Sequence, residues 1–288
     1  MDVAFPASAP RLARVRARWR IYLTYWWRHG RWPALDDPRT FTELVQVRKL
    51  AGADPAMVRM ADKLVAKTIV TERLGADWVI PTLWQGTELP EAPAWPTPFV
   101  VKARHGCNQT AFVFDDNANW ADIRRRAAGW MRSTYGYWLD EDLYAGIPHG
   151  LMVEPFIGAP PVLPIDYKFY VFGGRVRYVQ VHLGRGGRHR WILFDRHWQR
   201  VSSTSADPDP TPPVTLGQMI MAAERLSDGR DFVRVDLYEI DGRPLFGEMT
   251  FYPGSGLDPF SPVALDAELG AHWLRAKLAM LEPLRAVA

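Results

Sequence analysis

The chain has 288 residues, 48% of them hydrophobic, enough to bury a sizeable core, which excludes a disordered tail or a disulfide-stapled miniprotein. Its one cysteine, Cys107, excludes internal disulfides and any cysteine-based zinc cluster and suits a reducing cytoplasm. The formal charge is +3, yet residues 1–33 hold seven arginines against one acid, so the remaining residues sum to −3 and the body is not charged as a nucleic-acid binder.

In the basic segment Leu12, Val15, Trp19, Tyr22 and Trp26 recur at steps of three and four, one stripe of a helix. Such a stripe ordinarily packs on the body and leaves its arginines solvated. An arginine-rich helix with Trp and Tyr on its apolar side can also lie in the interface of an anionic membrane, which would place the protein at the inner membrane face. The opening MDVAFPASAP reads as no secretory leader, and no stretch reaches the roughly 18–20 apolar residues of a bilayer span. A second helix is expected from near Pro38, and a third from Met57 through Leu74 with Gly75 as its stop. Short β-forming runs follow: WVIPTLW, PFVVKA and TAFVFD, then a helix over NWADIRRRAAGWMRSTY. Strand-like runs return at GLMVEPFI, DYKFYVFG, RVRYVQVHL and RWILFD, with a tight hairpin at Gly173-Gly174. After a Pro/Asp/Ser-rich loop come the helix TLGQMIMAAERLS, the strands FVRVDLYEI and PLFGEMT, a PGSG turn and a last helix. Clustered strands with helices to one side predict an α+β fold, not a doubly wound sheet. No Walker loop, HExxH pair or GxSxG elbow is present.

The hairpin from Phe232 to Gly256 carries the most chemistry. A three-residue loop with Gly242 in the left-handed conformation would place Arg234, Asp236, Glu248 and Thr250 on one face, whereas a two-residue loop would put the two acids on opposite faces. Two carboxylates beside a hydroxyl form an oxygen-rich site suited to Mg²⁺, with Arg234 placed to stabilise a phosphoryl group; a solvated sheet face is the alternative. Only six of the 35 basic residues are lysines. Where arginine is the default cation, a retained lysine asks what a compact ammonium does there. Lys102, at the end of a buried strand before the loop RHGCNQT, is well placed for nucleotide phosphates that loop N–H groups could cover. Lys63 precedes this region, Lys168 lies in a later strand, and Glu154 ends a strand where the next segment could meet an adenine edge. Taken singly, each reads equally as a snorkelling lysine or an edge-strand charge. Lys49, Lys67 and Lys277 carry no assignment and read as surface residues.

On these blocks the sequence resembles the ATP-grasp superfamily and, within it, the TupA-like group named for teichuronopeptide synthesis. The resemblance runs from PRTFTELVQVRKL through ADK, FVVKARHG, EPF, DYKFYVFGG and the spaced Arg185, His189, Asp195 and Trp198 to FVRVDLY and FGEMTFYPGSG. It implies two α+β subdomains clamping ATP, at residues 61–157 and 158–288, after a helical segment at 1–60. It implies that Lys63, Lys102 and Lys168 attend the nucleotide, with Gly106 in the phosphate loop and Glu154, Pro155 and Phe156 as adenine hinge. It further implies that Asp236, Glu248 and Thr250 hold Mg²⁺, that Arg234 and Lys102 serve catalysis, and that Pro253, Gly254, Ser255 and Gly256 meet a substrate carboxylate. Arg185 and His189 are candidates for phosphate or substrate contact. Thr250 stands where most ATP-grasp enzymes carry asparagine, GCNQT is poorer in glycine and serine than the group's phosphate loop, and His182 replaces a common acid.

The activity implied is an ATP-dependent carboxylate–amine ligase: ATP turns a carboxylate into an acyl phosphate, and an amine displaces the phosphate, in the building of a cell-surface polysaccharide or peptide polymer. A hydroxyl kinase and a nucleotide-binding module without turnover are the competing readings. The cluster Arg185, Arg188, His189 and Arg190 fits an anionic acceptor such as a uronic acid, or a solvated basic loop. Cys107 has no assignable base partner and reads as small-residue packing.

Overall fold

The computed structural model describes residues 11–184, 190–203 and 208–285. Helix α1 (Arg11–His29) leads to α2 (Phe41–Ala51), α3 (Pro55–Ala61) and α4 (Lys63–Leu74). Helix α2 begins three residues after Pro38 because Thr40 and Glu43 form a reciprocal capping box. The single helix expected from Met57 to Leu74 is two: Asp62 takes an extended conformation and its carboxylate accepts the N–H of Leu64 at 3.1 Å, ending α3 and starting α4. Gly75 stops α4 at φ 103°, as expected.

The first sheet consists of β1 (Trp84–Gly86), β2 (Phe99–Ala103), β3 (Thr110–Val113) and β4 (Leu151–Pro155), in the order β1-β4-β2-β3 and antiparallel throughout. Of the run WVIPTLW only Trp84 belongs to it; Val79 instead bridges Phe246 of the second sheet. Alternation sends Phe99, Val101 and Val153 to one face, where they form a core with Ile123 and Ala127 of α5 (Trp120–Arg132). Val100, Lys102, Met152 and Glu154 line the other face.

The second sheet is β5 (Asp166–Phe172), β6 (Arg175–Leu183), β7 (Arg190–Asp195), β8 (Phe232–Ile240) and β9 (Arg243–Thr250), ordered β7-β6-β5-β8-β9 and antiparallel. One face is continuously apolar: Phe169, Val179, Val181, Val233, Val235 and Leu237 share a core with Met219 and Ala223 of α6 (Leu216–Leu226) and with Ala66 and Val70 of α4. On the opposite face, α2 and α7 (Ala264–Arg285) cover one end, where Phe41 meets Tyr170, Phe232 and Trp273 at centroid distances of 5.6, 5.0 and 5.3 Å. The rest of that face is polar.

The Gly173-Gly174 turn pairs Phe172 with Arg175 and has φ 55° and 77°, the expected tight hairpin. The Asp241-Gly242 turn departs from expectation. It is also a two-residue turn, with φ 50° and 71° and Ile240 facing Arg243. The parity that such a turn would spoil is restored by a bulge at Gly247, after which Asp236 faces Glu248 and Arg234 faces Thr250. A Cβ at Gly247 would lie 3.0 Å from the Asp236 carbonyl oxygen, so the bulge admits glycine most readily.

Candidate active site

Facing residues of neighbouring antiparallel strands project from the same side, so Lys168, Arg234, Asp236, Glu248 and Thr250 meet on the polar face of the second sheet. Arg234 grips Asp236 with two bonds, Nε to Oδ1 and Nη2 to Oδ2, both 2.7 Å, and Nη2 also donates to Thr250 Oγ1 at 3.2 Å. Lys168 Nζ lies 2.5 Å from Asp236 Oδ2 and 2.6 Å from Asp166 Oδ2. Burial alone would raise the Asp236 pKa, but the Arg234 and Lys168 charges outweigh it and hold the carboxylate ionised below its usual range. Glu248, 3.7 Å from Arg234 and 31% exposed, is the carboxylate that opens towards solvent. Among the described residues no group of three His, Cys, Asp or Glu side chains is placed to cage a metal. Two carboxylates and a hydroxyl, all hard oxygen donors, fit a Mg²⁺ whose shell is completed by phosphate and water.

Helix α4 and the first sheet supply further cations. Lys63, first residue of α4, donates to the Gly106 carbonyl in the β2–β3 loop. Its base is anchored by Asp62, which Arg104 of the same loop grips with two bonds of 2.7 and 2.6 Å. Cys107 in this loop lies within electrostatic reach of Glu248, Lys63, Arg234 and Lys168, so the loop overhangs the hairpin face. Burial, then Glu248, pushes the Cys107 thiol up, keeping it protonated and unsuited to nucleophilic attack. Lys102 Nζ sits 2.5 Å from Glu154 Oε2, and Lys67 pairs with the other oxygen while also donating to Ile80 O and Thr82 Oγ1. Glu154 is therefore no edge charge: β4 lies between β1 and β2, and the carboxylate is buried and held ionised, its burial cost overcome by the two lysines. Of the expected hinge, Pro155 has no N–H, and Phe156 donates its own to Pro98 O at 3.0 Å while its ring meets Phe112 and Phe114 edge-on. A groove of about 560 Å³ runs past Lys67 between α4 and β1.

The Pro253–Gly256 segment is one tight turn with Gly254 at φ 52° and Ser255 at φ 57°. Its carbonyls are captured by the N-terminal helices: Gln46 Nε2 donates to Ser255 O and Gly256 O at 2.8 and 3.2 Å, and His29 Nε2 lies 3.1 Å from Gly256 O. Because a trans peptide sets N–H opposite C=O, the Gly256 N–H points away from α2. Lys49 Nζ donates to Ser255 Oγ at 2.6 Å from a position only 4% exposed; burial pushes its pKa down to about 8, Glu141 and Asp140 opposing. A small enclosed cavity of about 40 Å³ joins this turn to Arg234, Gln180, His182 and Trp191.

The structure thus gathers Lys168, Arg234, Asp236, Glu248 and Thr250 in one group, joins Lys63 of α4 to Gly106 of the overhanging loop, and pairs Lys102 with Glu154 on the first sheet. Arg185 and His189 lie outside the described residues. Sequence reading passed over Lys67, Lys49, Glu141, Asp166 and the Asp62–Arg104 pair. The scarcity of lysine pointed at Lys67 and Lys49 all along: neither is the surface residue expected. Glu141 and Asp62 carry no comparable signal, because only the fold makes them buried.

The D-alanine–D-alanine ligase of Bacillus anthracis, solved with ATP, superposes with a TM-score of 0.51 at 14% identity, over 79% of this chain and 68% of that one. An L-amino acid ligase of Bacillus licheniformis gives 0.47 at 14% over 76% and 50%, and the ATP-grasp ligase PsnB 0.44 at 12% over 82% and 68%. No curated protein matches the chain. Two antiparallel sheets with helices packed on them have the ATP-grasp fold. The TupA-like ATP-grasp family model matches residues 43–274, most of the sequence, and the chain belongs to that family.

Proposed function

We propose that this protein is an ATP-dependent carboxylate–amine ligase working through an acyl phosphate, cytoplasmic, and serving the synthesis of a cell-surface polysaccharide or peptide polymer. The observation that carries this reading is the facing pair Asp236 and Glu248, with Arg234 and Lys168 beside it, Lys63 at the start of α4 holding the Gly106 loop, and Lys102 on the first sheet. A carboxylate is a poor electrophile until it is phosphorylated, and the charge that spreads over a transferring phosphoryl group must be met by fixed cations. Arg234, locked by Asp236, is such a cation without reorganisation. Asp236, Glu248 and Thr250 would hold Mg²⁺, which supplies further positive charge at the phosphates when bound. Lys63, Lys102 and Lys168 attend the nucleotide, with Lys102 exchanging Glu154 for a phosphate oxygen. The Gly106 loop covers the phosphates, and Glu154, Pro155 and Phe156 border the base through carbonyls and ring. The Pro253–Gly256 turn orients the acceptor carboxylate, and Arg185 and His189 are further candidates for contact with it.

Incubation with ATP, Mg²⁺, hydroxylamine and a panel of uronic and amino acids tests the reading. A hydroxamate formed from one acid, together with ADP release, is the expected result. A stable phosphate ester with no hydroxamate would establish a kinase instead.

A further inference from the structure

Most of the apolar stripe of α1 does not face the protein; of its described side chains only Tyr22 packs on the body. Ile21 and Tyr25, 1% and 0% exposed, anchor the helix against Leu35, Val47 and Leu50, with Ala17 beside them. At 100° per residue, Val15, Trp19 and Trp26 fall on the opposite side. There Val15 is 50% exposed, Trp19 61%, Leu23 55%, Trp26 48% and Trp27 74%. Trp32, 54% exposed just past the helix, stacks on Trp26 at 5.8 Å and extends the same patch. Four exposed indoles in one patch are far from the singly scattered apolar residues of an ordinary surface.

We infer that this face is a docking surface for an anionic lipid bilayer. The charge pattern selects that occupant. Helix α1 contains six arginines and no acid. Arg16 is exposed beside the stripe, and the acids that follow the helix in the chain, Asp36 and Asp37, are each paired with an arginine, Arg18 and Arg39. A layer with apolar interior and anionic headgroups meets both features at one depth: indole rings sit at the headgroup boundary, and arginines reach the phosphates. The helix is tied to the body by Arg20 to Asp140 and Arg31 to Glu43, so a docked α1 carries the whole protein with it. Arg28 Nε donates to Leu257 O at 2.9 Å and His29 Nε2 lies 3.1 Å from Gly256 O, so the C-terminal end of α1 lies next to the Pro253–Gly256 turn.

Vesicle flotation of the full chain decides the matter without any turnover assay. Wild-type protein should float with vesicles of phosphatidylglycerol in phosphatidylcholine, weakly with phosphatidylcholine alone, and less at high salt. The double variant Trp19→Glu, Trp27→Glu, which alters exposed positions only, should partition at least about tenfold less while keeping the wild-type circular dichroism spectrum. Met221→Glu, an exposed apolar position (65% exposed) on α6, which covers the other face of the second sheet, should float as wild type. Equal flotation of wild type and the double variant, or no flotation of wild type with anionic vesicles, overturns the proposal. So does a wild-type dimer in analytical ultracentrifugation that the double variant abolishes, which would make a second copy the occupant.

Discussion

Glu248 and Lys102 are the residues on which the proposed chemistry turns most directly. Glu248→Gln keeps size and hydrogen bonding but removes the charge of the one site carboxylate that opens to solvent. Turnover of Mg·ATP should fall by about a hundredfold or more with an unchanged melting curve, and wild-type turnover would remove Glu248 from the metal site. Lys102→Arg should also damage ATP turnover, because a planar guanidinium cannot share the buried Glu154 carboxylate with Lys67 and then turn to a phosphate as an ammonium can. Lys277→Arg, on α7 near Asp231 and Arg48, should leave turnover intact. Lys49 predicts a pH effect. Its folded pKa of about 8 lies below the ordinary lysine value, so the protonated form is a cost that is fully present below pH 8 and is relieved as pH rises towards 10.5. Wild-type stability relative to Lys49→Met should therefore climb across that window, by up to ~1.4 kcal/mol per pH unit. A pH-independent difference between the two proteins would refute it.

At the scale of elements, the hairpin from β8 to β9 shows what was legible in the sequence and what was not. The alternation of Arg234, Asp236, Glu248 and Thr250 correctly placed them on one face, but through the wrong device. The turn takes the shortest loop, since Asp241 and Gly242 can both adopt positive φ, and Gly247 absorbs the odd residue in mid-strand. Nothing in local sequence distinguishes a glycine that caps a turn from one that makes a bulge; the choice depends on which partner strand lies opposite. Gly247→Ala should bring a methyl group against the Asp236 carbonyl and Tyr238 ring, costing about 1–3 kcal/mol and lowering ATP turnover as the carboxylates lose register. Unchanged stability and turnover would mean the bulge adapts freely. The break at Asp62 follows the same logic: helical periodicity runs through it, and only Arg104, brought by the β2–β3 loop, explains why its carboxylate stays at the cap.

At the scale of the molecule, the two large cores among the described residues stand apart. Phe41, Tyr170, Phe232, Trp273 and the apolar face of β5–β9 belong to one, and Phe99, Val101, Val153 and Ile123 to the other. Helices α2 and α3 join the former, so they buttress the sheet bearing the acids, and α1 packs on α2 through a smaller cluster of Ile21, Leu35, Val47 and Leu50. Phe41→Ala should cost about 3–5 kcal/mol, and hydrogen exchange should locate the loss in β5, β8 and α7 while β2 and β4 keep their protection. Equal loss in both sheets would indicate one cooperative unit instead.

By itself the sequence determined the α+β class, most of the strands, the family resemblance, and the candidates Lys63, Lys102, Lys168, Arg234, Asp236 and Glu248, because period, turn chemistry and motif spacing are local properties of a chain. Tertiary structure decided what those residues touch: that Lys67 shares Glu154, that Lys49 is buried against the Ser255 hydroxyl, and that the tryptophan stripe of α1 faces outward. The physical reason is the same in each case. An apolar stripe shows that a helix has two faces, and a lysine shows that a charge is present. Burial and partnership are set by segments tens or hundreds of residues away, and only the packed chain brings them together.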